Sequence, residues 1–227
     1  MGKAWEDSAG EAVKTKLDYI KFEMGSNRMR LVGDILPRYC YWKRLKDNNI
    51  PVECLSFDRN EERFLNTEMD WFKHYFPTNE QTGKPTSCSW SYVIRVFDPK
   101  DGKLKLCGLK KKLFEQIQKM AGKAGYGDPT NPDTGWEIVF DKNKTGPLAY
   151  NIEYTLDQLE CKVQPLTDEQ KDIVKEMPSI DEVIPRPTSE QQKAFIQTAW
   201  LATEEESNTD KDAAGKVADG FDDDIPF

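Results

Sequence analysis

Between Lys14 and Leu156 apolar and polar side chains mostly alternate, with a period near two and punctuation by Gly, Pro, Asn and Asp. Lys14 to Phe22, with Leu17, Tyr19 and Ile20, reads as a first strand. Arg28 to Ile35 follows the turn residues Gly25-Ser26-Asn27 as a second, with Gly33 placed for a bulge. Pro37 resets the chain, and the aromatic run Tyr39 to Leu45 predicts a third strand; Asp47 to Asn49 is a turn before Val52 to Phe57. Cys88 to Phe97 is the clearest strand, closed into a hairpin with Lys103 to Cys107 by Asp98-Pro-Lys-Asp-Gly102. The period then changes. Leu109, Leu113, Phe114, Ile117 and Met120 recur at helical spacing up to Gly122. Trp136 to Phe140 and Tyr150 to Leu156 form a last hairpin. Asp58 to Phe76, without Gly or Pro, predicts a helix or an ordered subdomain.

Strands interrupted by a single late helix describe a small closed barrel better than a sandwich. The expected fold is mainly β, an OB-fold (a five-stranded Greek-key barrel) with added helices. The organisation follows: a mobile arm over 1–13, the barrel domain over 14–157, a helical extension and linker over 158–203, and a disordered acidic tail over 204–227. In the extension, Thr167 with Gln170 is capping-box chemistry for a helix to Lys175, and Ser189 to Trp200 is another helix. Pro178, Pro185 and Pro187 make the stretch between them an extended linker.

Charge sharpens this picture. The chain carries a formal net charge of −8 and a mean hydropathy of −0.75. From Glu204 to Phe227 there are nine acids and two lysines, so the body is close to neutral and the tail holds the imbalance. A neutral body with local basic clusters can still follow phosphates. No apolar run approaches the ~20 residues a bilayer needs, and no apolar signal core opens the chain. A cytoplasmic place is expected, and five widely spaced cysteines suit a reducing compartment. One histidine, His74, leaves little material for a histidine-based catalytic site, and no strand is followed by a convincing Asp/Glu-x-Lys pair, so no enzyme is expected. No cofactor and no metal are expected either. Cys40, Cys54, His74 and Cys88 are the candidate ligands, without the short spacing zinc sites show.

Two patterns point to binding. Aromatic and basic residues interleave in Arg38, Tyr39, Tyr41, Trp42, Lys43 and Arg44, in Trp71, Phe72, Lys73, His74, Tyr75 and Phe76, and in Trp90, Tyr92 and Arg95. Bases stack on aromatic faces while cations track the backbone, which is the chemistry of single-stranded nucleic-acid binding. The alternative is that these rings fill the core. Lys110, Lys111 and Lys112 open the late helix, where cations oppose the dipole; phosphate contact or a solvated face would account for them. The second pattern is the terminus: Phe221, the run Asp222, Asp223, Asp224, then Ile225, Pro226 and Phe227. Aromatic ends around three carboxylates suit an apolar pocket with a basic rim on a partner protein.

That terminal octapeptide resembles the tip of bacterial single-stranded DNA-binding proteins, where it recruits replication and repair partners. The body resembles the core of T-even-type phage single-stranded DNA-binding proteins over roughly 15–157. The likeness rests on Arg28 to Pro37, with Arg28 and Arg30; on Ser91-Tyr-Val-Ile-Arg-Val-Phe-Asp-Pro99, then Gly102-Lys and the basic helix start; and on Gly127-Asp-Pro-Thr-Asn-Pro to Tyr154. The resemblance implies an OB-fold groove that holds single-stranded DNA in replication, recombination and repair, in a phage-infected cell. The arm here lacks that family's basic character, and its zinc-site cysteine pair is absent. The alternative is a replisome adaptor that uses the tail and binds no DNA.

Overall fold

The computed structural model describes residues 17–80, 82–148 and 151–201; the whole arm and the acidic tail lie outside them. Among these residues ten strands form: β1 (Gly25–Leu36), β2 (Tyr39–Leu45), β3 (Asn48–Glu53), β4 (Phe57–Asp58), β5 (Arg63–Phe64), β6 (Ser89–Trp90), β7 (Val93–Phe97), β8 (Leu104–Gly108), β9 (Glu137–Lys144) and β10 (Ile152–Leu156). The helices are α1 (Trp71–Tyr75), α2 (Lys111–Ala121), α3 (Asp168–Glu176), α4 (Ile180–Val183) and α5 (Ser189–Ile196), the last running into a π-helical turn at Gln197–Leu201. The protein is mainly β.

β1 is the centre of a five-stranded antiparallel sheet in the order β10-β9-β1-β7-β8. Its inward residues Met29 and Leu31 meet Ile94, Val96, Ile138 and Phe140, and Leu113, Ile117 and Met120 of α2 cover them. Gly33 does what the sequence predicts. It sits at φ +68° where the β1–β7 register shifts between Val32 and Leu36. A Cβ there would lie 2.7 Å from the Met177 methyl and 3.0 Å from the Arg95 guanidinium, so only glycine fits.

The sheet does not close on itself in the described residues. β8 and β10 remain its two edges. The backbone of β10 that a closing strand would engage is taken by a side chain of α2: Gln116 donates to the Tyr154 carbonyl (3.1 Å) and accepts from Leu156 N–H (2.8 Å). On the other edge the described part of the expected first strand, residues 17–22, forms a single parallel bridge, Tyr19 to Leu106, with Ile20 N–H and Leu106 N–H each bonded across at 2.8 Å.

One further expectation is corrected and another narrowed. Cys88 to Phe97 is two strands, because β6 pairs with β2 in a separate three-stranded sheet (β3-β2-β6) before Ser91 and Tyr92 carry the chain into β7. Of the two alternatives for Asp58 to Phe76, a long helix is not formed and the stretch is an ordered unit whose one helix is the short α1. The Asp58 carboxylate accepts from the N–H groups of Asn60 and Glu61 (2.9 Å each), and Asp70 caps α1 through Lys73 N–H. Such side-chain bonds stabilise turns over helix, and β4 and β5 pair as a small ribbon instead.

Everything from β2 to β6 is thus an insertion between β1 and β7, and the C-terminal segment ties it to the main sheet. α3 begins with the expected Thr167–Gln170 capping box, and Leu166 and Val174 pack on Val32 and Phe97. The proline-rich linker is more ordered than predicted: Ser179 and Glu182 form a second capping box, and Ile180 of α4 is buried among Leu36, Val93 and Leu106. Arginines fasten this strap. Arg30 donates to the Gln164 carbonyl and Arg95 to that of Pro178. Arg59 grips both Glu53 oxygens (2.7 and 2.6 Å), Asp181 (2.7 Å) and the Ile184 carbonyl. Arg186 reaches back to the carbonyls of Leu55 and Phe57.

Candidate nucleic-acid interface

Where the insertion meets the main sheet, five rings from five separated positions converge. Trp90 and Tyr92 stack face to face (centroids 3.5 Å, interplanar angle 14°). Phe114, in the first turns of α2, leans on both at 5.3 and 5.9 Å. Tyr39 of β2 meets Trp90 and Tyr92 edge-on at 6.2 and 6.4 Å, and Phe64 of β5 meets Tyr39 at 5.1 Å. The turn at Ser91 produces this cluster: Trp90 still belongs to the small sheet while Tyr92 already faces the large one. Indole Nε1 of Trp90 donates to the Leu109 carbonyl (2.9 Å), which pins the platform to the start of α2. Phe64 remains 49 % exposed although it is a large apolar ring, and residues 60–69 around it are exposed throughout.

Cations flank the cluster through α2. Lys111 and Lys112 are exposed, and their nearest acids, Glu115 and Glu153, stand off at 4.0 and 3.9 Å. The Lys110 ammonium lies 5.7 Å from the Tyr154 ring. The helix start has no side-chain cap and no acid in its first turn. On the insertion side, Arg38 is half-buried between the Ser91 carbonyl (3.1 Å) and Tyr19 Oη (3.5 Å). One anion faces the rings. Tyr92 Oη donates to Glu62 Oε2 at 2.8 Å; burial first, and then this carboxylate, push the phenol above its ordinary pKa.

The remaining predicted residues are placed elsewhere. Arg30, Tyr41 and Arg95 are buried (5, 3 and 2 % exposed). Burial lowers the Arg30 guanidinium to about 10; it serves main-chain carbonyls. Tyr41 stacks on Phe72 (4.6 Å, 8°) and donates to Asp70 (3.0 Å). Arg28 is exposed at the far side, paired with Glu137 (2.7 Å). Trp42 lies half-buried on β2. Lys43 pairs with Glu80 (2.8 Å) over the Phe76 ring, and Arg44 is exposed next to Asp47. Trp71 and Tyr75 stack on each other at 5.7 Å, with Lys193 of α5 4.3 Å above Trp71; Lys73 is exposed beside them. This second aromatic group is covered by Ile196 and Trp200. The expected interface residues therefore divide: Trp90, Tyr92 and Lys110 to Lys112 come together with Arg38 near the junction, while Trp71, Tyr75 and Tyr41 lie in the second aromatic group.

Tyr39, from the aromatic-basic run of its strand, completes the junction together with Phe64, Phe114 and Glu62, and these last three were not singled out by sequence. Phe114 matched the apolar face of its helix, and Phe64 sat in a stretch with no period. Of the candidate metal ligands, Cys40 and Cys54 are buried, Cys88 is half-buried and His74 is exposed against Trp71. No group of three or more His, Cys, Asp or Glu side chains is arranged to hold a metal among the described residues. None of the described helices is long and apolar enough to cross a membrane. Phe221 to Phe227 lie outside the described residues.

The chain is similar to a probable ssDNA-binding protein of Escherichia phage T5, 28 % identical over 239 aligned residues that cover 94 % of this chain and 91 % of that protein. No family model matches the sequence.

Proposed function

We propose that this protein binds single-stranded DNA with little sequence preference, at the junction between its five-stranded sheet and its β2–β6 insertion. The observation that carries the reading is the ring cluster Tyr39, Phe64, Trp90, Tyr92 and Phe114, part exposed and flanked by Lys110, Lys111 and Lys112. Aromatic faces stack on any base, and lysines meet any phosphate. The similarity to a phage protein described as a probable ssDNA-binding protein supports it over nearly the whole chain. The five-stranded antiparallel sheet, with α2 between its third and fourth strands, is compatible with an OB-like fold, and binding on the face of such a sheet is what that architecture favours.

On this reading Arg38, Lys43 and Arg44 extend the basic track along β2, and the protein coats single strands exposed in phage replication, recombination and repair. The tip from Phe221 to Phe227 recruits proteins to that DNA, its carboxylates on a basic rim and Phe227 in a pocket.

Titration of tryptophan fluorescence with single-stranded oligo-dT and with a duplex of equal length tests the reading. Quenching by the single strand, weakened steeply by salt, is expected; equal response to duplex, or an affinity flat in salt, refutes it. Removing Ile225 to Phe227 is expected to leave DNA affinity unchanged and abolish capture of replication proteins.

A further inference from the structure

Glu62 is an unexpected residue at a DNA-binding surface. Its carboxylate faces the stacked rings, and a negative charge there repels the phosphates the lysines attract. Yet the structure holds it in place. Glu62 Oε2 accepts from Tyr92 Oη at 2.8 Å, and the residue adopts φ +48°, a left-handed conformation uncommon for anything but glycine. The turn that carries it is anchored at its base: Asp58 Oδ1 accepts from the N–H groups of Asn60 and Glu61, and Leu65 N–H bonds the Ser56 carbonyl at 2.9 Å. Two residues on, Phe64 offers a half-exposed ring to the same cluster. Glu62 is thus a fixed acceptor at the edge of a stacking surface. One of its oxygens is engaged by Tyr92, and the group itself is exposed.

We infer that Glu62 reads the edge of one stacked base and favours a base with an exocyclic amino group, cytosine N4 or adenine N6, over thymine or uracil. The inference rests on the proposed DNA binding and adds a preference at one position. An ionised carboxylate only accepts hydrogen bonds. The cytosine N4 amino group donates; the corresponding O4 of uracil or thymine is an acceptor and meets the carboxylate with repulsion. The Tyr92 hydroxyl is the positioning group: it selects one carboxylate oxygen and leaves the other for the base. The rings supply affinity for every base, and Glu62 supplies a difference between them.

Oligo-dC and oligo-dU of equal length differ at the 4-position and the adjoining N3, and neither carries a methyl group. Their affinities for the full-length protein are compared at one salt concentration above neutral pH. Wild type is expected to favour oligo-dC by about five-fold, the lower end of what a base-edge contact contributes. Glu62→Gln, whose amide both donates and accepts, is expected to bring the ratio near one while raising affinity for both strands. Tyr92→Phe, which frees the carboxylate, is expected to reduce the ratio as well. A wild-type ratio of one, or a ratio that survives Glu62→Gln, overturns the inference. The wild-type measurement needs no variant, so it decides even if a substitution unfolds the protein. If wild type binds neither strand, the proposed function itself fails, a result distinct from binding without discrimination.

Discussion

Two aromatic clusters, built from the same residue types, differ in this molecule chiefly by one ring that reaches solvent. The first, Tyr41, Phe72, Trp71, Tyr75 and Phe76, lies under Ile196 and Trp200 of the C-terminal segment. In the second, Tyr92 is buried, Tyr39, Trp90 and Phe114 are half-buried, and Phe64 remains half in solvent. Tyr39 and Tyr41 are two residues apart on one strand, and Tyr39 joins the clusters: it packs against the first and meets Phe64, Trp90 and Tyr92 of the second. The cover over the first cluster is supplied by residues 120 or more positions later in the chain. Local composition carries no information about that cover.

The comparison can be broken by exchanging the clusters' expected responses to truncation. The largest effect is expected in the covered cluster. Phe72→Ala should cost about 3–5 kcal/mol of stability in urea unfolding, as removal of a buried phenylalanine does, while the folded fraction keeps its DNA affinity. A variant that loses DNA affinity without losing stability would place the covered cluster in the interface.

Phe64→Ala is the counterpart. Loss of one stacking ring should cost roughly 1–3 kcal/mol of single-strand binding, read by fluorescence titration, with a midpoint of unfolding close to wild type. Next in size is charge. Lys111→Gln should weaken binding of every sequence alike and lower the slope of log affinity against log salt by about one for the lost phosphate contact. An unchanged slope would put Lys111 outside the track. The smallest effect sharpens the contrast from the other side. Lys193→Met removes the cation over Trp71 and should cost about 0.5–1 kcal/mol of stability, with DNA affinity untouched.

Much of the architecture is legible in the sequence. β1 with its glycine bulge, the β7–β8 hairpin, α2 and the α3 capping box all follow from local rules: period, turn residues and caps. The illegible parts have non-local causes. The split of Cys88 to Phe97 depends on β6 finding β2, which alternation alone does not encode. The edge of β10 is satisfied by Gln116, a residue indistinguishable in sequence from any exposed helix glutamine. In the candidate interface, Trp90, Tyr92 and the three lysines were readable because they are close neighbours along the chain, where β6 passes to β7 and at the start of α2. Phe64 and Glu62 were not, since a loop set by Asp58 and a left-handed turn brings them there. Arg30 and Arg95 carry a basic signature that the fold spends on carbonyls.

Those carbonyls have a consequence of their own. Arg30, Arg95 and Arg59 hold the strap largely by its main-chain oxygens, at Gln164, Pro178 and Ile184. Every amino acid supplies that oxygen, so most strap residues are free to drift without loosening the fastening. The arginines have no such freedom, because lysine lacks the planar fork that reaches several acceptors at once. Length is constrained where identity is not: an insertion or deletion in the strap between Gln164 and Ile184 would shift the later oxygen out of register with its guanidinium. In diverging copies of this protein, the segment should therefore vary in letters and hold its count.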